Sequence, residues 1–229
     1  QLIFWIAVLP AFIAIAILVF FVREPKLPAN TRPRKLPLNR EDLGRLGSRY
    51  WWVVAIGLAF TLARFSEAFL ILRGEASGLP PMWAPAVLVV MGVAFSLSAY
   101  PAGVLSDRMR KTDLLLIGVA LLIAADLVLA FVPGLLGLGL GVALWGLHMG
   151  FTQGLFNVLI AGNAHAELRG TAFGMFHLLT GVALLLASVI AGVLWDTLGF
   201  QGTFAAGAIF AVLAGAGLIT LRRSAQGAF

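Results

Sequence analysis

Apolar residues in this chain gather into seven runs, separated by one long polar connector and several short ones. The runs extend from Leu2 to about Val22, Tyr50 to Leu72, Trp83 to Leu105, Leu114 to Val132, Leu135 to Ala161, Gly170 to Leu194 and Phe200 to Leu221. Each approaches or exceeds the roughly 20 apolar residues that a helix needs to cross a bilayer. Hydrocarbon satisfies no backbone hydrogen bonds, so such runs predict helices. The expected fold class is therefore all-α and polytopic in a membrane.

The connectors give the topology. Residues 23–49, REPKLPANTRPRKLPLNREDLGRLGSR, form a basic, Pro-rich linker in which a short amphipathic helix at Arg40–Leu46 is expected. The other connectors are short, which makes neighbouring helices antiparallel. Alternate connectors lie on opposite faces, and Lys and Arg accumulate on the cytoplasmic one. One set (23–49, 106–113, 162–169 and the tail after Leu221) carries every Lys and Arg except Arg73 in the opposite set and Arg64 within a run. That predicts a cytoplasmic linker and C-terminus. Tyr50, Trp51, Trp52, Trp83 and Trp195 stand at run ends, where amphipathic rings favour the headgroup layer.

Composition sharpens this reading. The chain is 61% hydrophobic and only 11% charged, against about 25% charged in a soluble domain. A net charge of +6 could point to nucleic acid, but the charges sit in connectors and leave no basic face. With no cysteine, disulfides and thiolate chemistry are excluded. There is no nucleophile elbow, HExxH motif or P-loop, so neither enzyme nor ATP-driven pump is expected, nor any cofactor or metal. The chain opens at Gln1 and is apolar from Leu2, so it is expected to begin inside a longer protein.

One connector reads PAGVLSDRMRKTD. It resembles the signature loop of the major facilitator superfamily, roughly G-x-L-a-D-R-x-G-R-[RK], through Gly103, Leu105, Asp107, Arg108 and Lys111. Arg110 stands where that family has Gly, and Thr112 where it often has a base, as in the degenerate second copy of the loop. The segment AELRGTAFGMFHLLTGVALLLASVIAGVLWDTLG resembles the family's eleventh helix and the loop before it, and residues 23–49 its central linker. The resemblance implies that 1–22 is the last helix of an N-terminal bundle absent from this chain. It makes 23–49 the inter-bundle linker, 50–221 the C-terminal six-helix bundle and 222–229 a cytoplasmic tail. It also implies that Gly103, Asp107, Arg108 and Lys111 latch one conformation of a transport cycle. Gly103 is expected to let two helices approach closely, and Asp107 to accept from a helix N-terminus or an Arg.

Ionisable groups within a span are costly and face a cavity or a partner. Arg64 and Glu67, spaced i,i+3, are expected to share a helix face and to pair about 20 Å into the membrane. Glu67 is the candidate proton-coupling carboxylate; a static ion pair is the alternative. Gln153 and Asn157, spaced i,i+4, and His148 nearer the outside are candidate cavity residues, with interhelical hydrogen bonding as the alternative. His177 is a weaker proton-relay candidate. Asp126 lies on a helix that the resemblance puts at the periphery, away from the cavity, with a structural partner or a position near the outer interface expected. Gly146, Gly150 and Gly154, then Gly170 and Gly174, are expected to serve close packing.

The resemblance thus implies a secondary carrier working by alternating access in a bacterial inner membrane. Its partners would be the lipid bilayer, the missing bundle, protons and a small organic solute. Proton-coupled export is the leading expectation. An organic-anion/proton symporter is the alternative, and a non-transporting scaffold or intramembrane enzyme is a third.

Overall fold

The computed structural model describes residues 8, 12, 13, 15–17, 20 and 40–226. They fall in two units, Gln1–Leu36 and Pro37–Phe229. The described residues of the first unit are helical; most of the expected linker, 23–39, and the tail beyond 226 lie outside the described residues.

The second unit is built of helices, with no strand among the described residues. In order they are α1 (Arg40–Arg45), α2 (Ser48–Ala63), α3 (Ala68–Ala76), α4 (Ala84–Arg108), α5 (Lys111–Phe131), α6 (Gly134–Thr152), α7 (Leu155–Asn163) and α8 (Arg169–Gln226). The short helix expected at Arg40–Leu46 is α1. Five stretches are long and apolar enough to cross a membrane: Ser48–Ala76, Pro81–Arg108, Lys111–Phe131, Gly134–Asn163 and Ala166–Arg223. The last contains 58 residues, roughly 87 Å of helix, which is far more than a hydrocarbon core of about 30 Å accommodates. It folds back at Gly199, whose φ of 69° and ψ of −169° suit glycine alone. Across that corner the Thr203 hydroxyl donates to the Ala191 carbonyl at 3.3 Å. The two limbs, 169–198 and 200–226, correspond to the sixth and seventh apolar runs.

α5 is central and lies against α6 and α8, while α2 lies against α8 and α4 against α6. Leu114, Leu115, Leu122, Ala125 and Leu129 of α5 are completely buried. Small residues set the spacing. A Cβ on Gly146 would overlap the Met91 carbonyl of α4, and one on Gly150 would overlap Ser98. These two glycines therefore pack as the sequence predicts. The other three do not: Gly170 and Gly174 have open space where a Cβ would go, and Gly154 adopts φ of 87° as a turn residue. Between α2 and the first limb of α8, Tyr50 donates its hydroxyl to the Ala172 carbonyl at 2.9 Å. Gly57 admits the Phe176 ring, which a Cβ would meet at 2.6 Å.

Two expected spans are interrupted. The first breaks at Arg64, which leaves the helix with φ −108° and ψ 71°, and resumes at Ala68. The second breaks at Gln153, extended at φ −63° and ψ 124°, and at left-handed Gly154. Inside a membrane such breaks are tolerated where the freed backbone groups are buried in protein or line a cavity.

Candidate functional site

The break between α2 and α3 opens onto a cavity of about 570 Å³. Its walls come from Phe60, Thr61 and the 64–67 junction on one side, Trp145 of α6 at the floor, and His177, Thr180, Gly181 and Leu184 of α8 on the other. Phe65 and Trp145 have ring centroids 5.7 Å apart, and Phe60 lines the same cavity, buried like both. The Thr61 and Thr180 hydroxyls each donate to the carbonyl one turn back, Gly57 and Phe176, at 2.8 Å. Their lone pairs remain as acceptors.

Arg64 and Glu67 both line this cavity, but not as one turn of one helix. The break removes the i,i+3 geometry, and among the described residues no ion pair joins them. Each charge instead suits the helix end where it sits. Arg64 follows the C-terminus of α2, where the aligned peptide dipoles favour a cation, and Glu67 occupies the N-cap of α3, where they favour an anion. The Arg64 guanidinium lies over Phe60, 5.7 Å from the ring centroid. Its Nε is buried without a hydrogen-bond partner.

The other sequence-predicted residues are scattered. His177 is exposed on the cavity wall. His148 is completely buried and lies behind the floor, with its ring 5.4 Å from Trp145 and 6.3 Å from Phe60; it does not line the cavity. Gln153 and Asn157 do not share a helix face, because α6 ends at Thr152 and α7 starts at Leu155. Asn157 is exposed, and Gln153 lines a separate cavity of about 210 Å³ with Ala102, Gly103, Ser106 and Gly150.

The signature-like connector joins α4 to α5. Gly103 faces open space, so it does not mediate the close approach expected of it. Asp107 and Arg108 are exposed in the last turn of α4. The Lys111 ammonium donates to the Ser106 carbonyl and closes the turn. Just beyond the loop, the Asp113 carboxylate meets Arg222 of α8 at 3.2 Å. Asp107 accepts no hydrogen bond from an Arg or helix N-terminus among the described residues.

Two ionisable residues have roles that the sequence concealed. Arg73 is 1% exposed and donates to the Leu129 carbonyl at 2.8 Å, to the Val132 carbonyl at 3.1 Å, and to Ser77. Far from marking a connector, it ties α3 to the C-terminus of α5. Asp126, expected at the periphery with a partner, is completely buried with both oxygens unbonded. A lone acid in a run of apolar residues signals expense, but the sequence does not say which way it faces.

Comparison with known proteins gives a consistent result. A family model described as the Major Facilitator Superfamily matches residues 1–184. Over 203 residues the chain is 27% identical to the uncharacterized MFS-type transporter MJ1317 of Methanocaldococcus jannaschii, covering 86% of this chain and 50% of that protein. Among solved structures, a variant of the E. coli fucose:proton symporter FucP aligns with a TM-score of 0.71 at 17% identity, over 92% of this chain and 52% of that one. FucP in the outward conformation aligns with a TM-score of 0.69 at 18% identity, over 92% and 51%. The chain spans about half the length of these proteins, and the structural likeness is one of fold.

Proposed function

The chain belongs to the Major Facilitator Superfamily, and from that premise we propose that it is the C-terminal half of a secondary transporter moving a small organic solute by alternating access. The observation that carries this reading is the cavity at the α2–α3 break. It joins two opposite, mutually unpaired charges to an aromatic floor on a broken helix, and broken helices supply solute and ion sites in carriers. In this reading residues 1–22 are the last helix of the N-terminal bundle, 23–49 the cytoplasmic linker, 50–221 the C-terminal bundle and 222–229 a cytoplasmic tail. The missing bundle forms the opposite wall of the cavity, in a bacterial inner membrane.

Within the cavity, Arg64, Glu67 and His177 form the solute and proton pathway. Glu67, at the N-terminus of α3 on the cavity wall, is the carboxylate that couples proton movement to the rocking of the bundles. Gln153 and Asn157 act nearer the signature-like loop, and His148 acts from behind the floor. Gly103, Asp107, Arg108 and Lys111 latch one conformation against the other bundle. The apolar part of the lining, Phe60, Phe65, Trp145 and Leu184, suits a partly hydrophobic solute and proton-coupled export; proton coupling is also in keeping with the fucose:proton symporter that shares the fold.

A specific observation favours a second reading. The buried, unbonded Nε of Arg64 is a ready donor for a carboxylate, which suits uptake of an organic anion with a proton. Proteoliposomes holding the complete protein, given a metabolite and drug panel under an imposed pH gradient, separate the alternatives. Glu67→Gln should abolish gradient-driven flux while leaving downhill exchange. Arg64→Met should weaken anionic solutes alone if the second reading holds. Normal gradient-driven flux in Glu67→Gln removes Glu67 from the coupling, and absence of flux for every solute counts against transport.

A further inference from the structure

Among the described residues, side-chain nitrogen and oxygen atoms buried without a hydrogen bond gather in one layer of the bundle. One oxygen of Asp113 is set apart, and it faces Arg222. The rest are Nε of Arg64, Nε1 of Trp145, both ring nitrogens of His148 and both carboxylate oxygens of Asp126. Buried polar groups are nearly always bonded, and the exceptions mark bound water or function. All four side chains border the aromatic floor of the cavity. Arg64 lies over Phe60, and His148 packs on Trp145 and Phe60. A Cβ placed on Gly207 would come within 2.7 Å of Asp126 Oδ2 and 3.1 Å of Phe65 Cε1. Phe65 and Asp126 are thus neighbours at Gly207, and of the two only Phe65 lines the cavity; Gly207 leaves the room that the carboxylate occupies.

An isolated ionised carboxylate costs several kcal/mol in an apolar interior even after relaxation. No compensating charge bonds to Asp126 among the described residues. The titratable groups nearest it on the elements packed around it are Arg64 and Glu67 at the α2–α3 break, His148 on α6, and Arg73 of α3, whose guanidinium is committed to the Leu129 and Val132 carbonyls further along α5. The 200–226 limb of α8 offers Arg222 and Arg223, and α5 itself Lys111 and Asp113, all at the opposite end of their helices. An ionised carboxylate would bear that cost here with neither a hydrogen bond nor a bonded cation to offset it.

We propose that Asp126 is a proton-binding site of this bundle, closed off from the cavity by Phe65. With Phe65 in place the carboxyl keeps its proton. Displacement of the ring, which sits on the broken segment between α2 and α3, admits water. The O–H bond then breaks, the proton passes to that water, and the carboxylate is left ionised and solvated. This site is distinct from Glu67 and does not depend on which solute the carrier moves.

Infrared difference spectroscopy of the complete protein in phosphatidylcholine vesicles tests it. The carbonyl stretch of a protonated carboxylic acid should be present, shift in D₂O, and fade as pH is raised. It should persist in Glu67→Gln, vanish in Asp126→Asn and change frequency in Asp126→Glu, which covers the case in which the amide variant fails to fold. Phe65→Ala should speed its deuterium exchange several-fold. The proposal is overturned if the band is missing from the wild type or survives unchanged in Asp126→Asn and Asp126→Glu. It is equally overturned by a band that neither D₂O nor pH moves in wild type and Phe65→Ala alike, because that describes a fixed structural carboxyl. None of these outcomes bears on the transport reading, which the flux assays decide separately.

Discussion

Replacing Arg73 by methionine removes the cation that finishes α5. The Leu129 carbonyl would ordinarily accept from the N–H four residues on, but that residue is Pro133, which has none. Arg73 Nε fills the gap at 2.8 Å and Nη2 reaches Val132 at 3.1 Å, while the guanidinium sits 4.0 Å above the Phe200 ring. Hydrogen bonds from a charged group contribute about 1.5–3 kcal/mol each in soluble proteins. Side-chain bonds in membranes average only about 0.6 kcal/mol, and relief of guanidinium desolvation offsets part of the loss. Taking about 1 kcal/mol per carbonyl and about 1 kcal/mol for the ring contact, Arg73→Met should cost about 3 kcal/mol. At about 2–4 °C per kcal/mol for a domain of this size, the midpoint should fall by about 6–12 °C. Arg73→Lys, with one compact donor group in place of the planar fork, should recover roughly half. Thermal unfolding of the complete protein in detergent, followed by tryptophan fluorescence, measures both. A loss below about 1 kcal/mol, or strict additivity of Arg73→Met with Phe200→Leu, refutes the clamp, since contacting residues should couple.

Three further outcomes follow. Gly146→Ala and Gly150→Ala force a Cβ into α4 and should each cost about 1–3 kcal/mol; Gly103→Ala, which meets open space, should be neutral or stabilising by up to about 1 kcal/mol in the same unfolding assay. Tyr50→Phe leaves the Ala172 carbonyl without its donor and should cost about 1 kcal/mol, whereas an unchanged midpoint would mean water replaces the hydroxyl. Because this chain has no cysteine, single Cys substitutions at Arg34 and Lys111 can be probed with a membrane-impermeant maleimide. Both should react from the cytoplasmic side, and reaction from opposite sides would overturn the proposed topology.

The spans were legible because hydrocarbon imposes a length that no local choice can evade. The breaks were not, because neither contains proline. Signals for them are nonetheless present. Ser66 accepts from the Ala68 amide at 3.3 Å, a local serine contact just ahead of α3 that competes with helix, and Gly154 after Gln153 is the left-handed residue that ends helices. Reading through them placed Gln153 and Asn157 on one face and paired Arg64 with Glu67. Arg73 was misjudged for a different reason. Its purpose lies in Pro133, distant in sequence, and only packing brings the surplus donor to the missing one. Gly103 shows the converse: a motif glycine matched by pattern has no close neighbour among the described residues.

The α2–α3 break also explains how two opposite charges share one span without closing into an ion pair. A continuous helix would put Arg64 and Glu67 one turn apart, and their attraction would close them into an ion pair unavailable to anything else. Breaking the helix between them creates two new ends whose dipoles stabilise each charge separately, by about 0.3–1 kcal/mol apiece at exposed sites and more where partly buried. That support is comparable to what an exposed ion pair would give, and it leaves both residues lining the cavity without an ion pair between them. The same break carries Phe65, the ring proposed to close Asp126 off from that cavity. A hinge motion of a few residues would therefore alter the cavity charges and access to the buried acid together, linking solute and proton without a long path through the bundle.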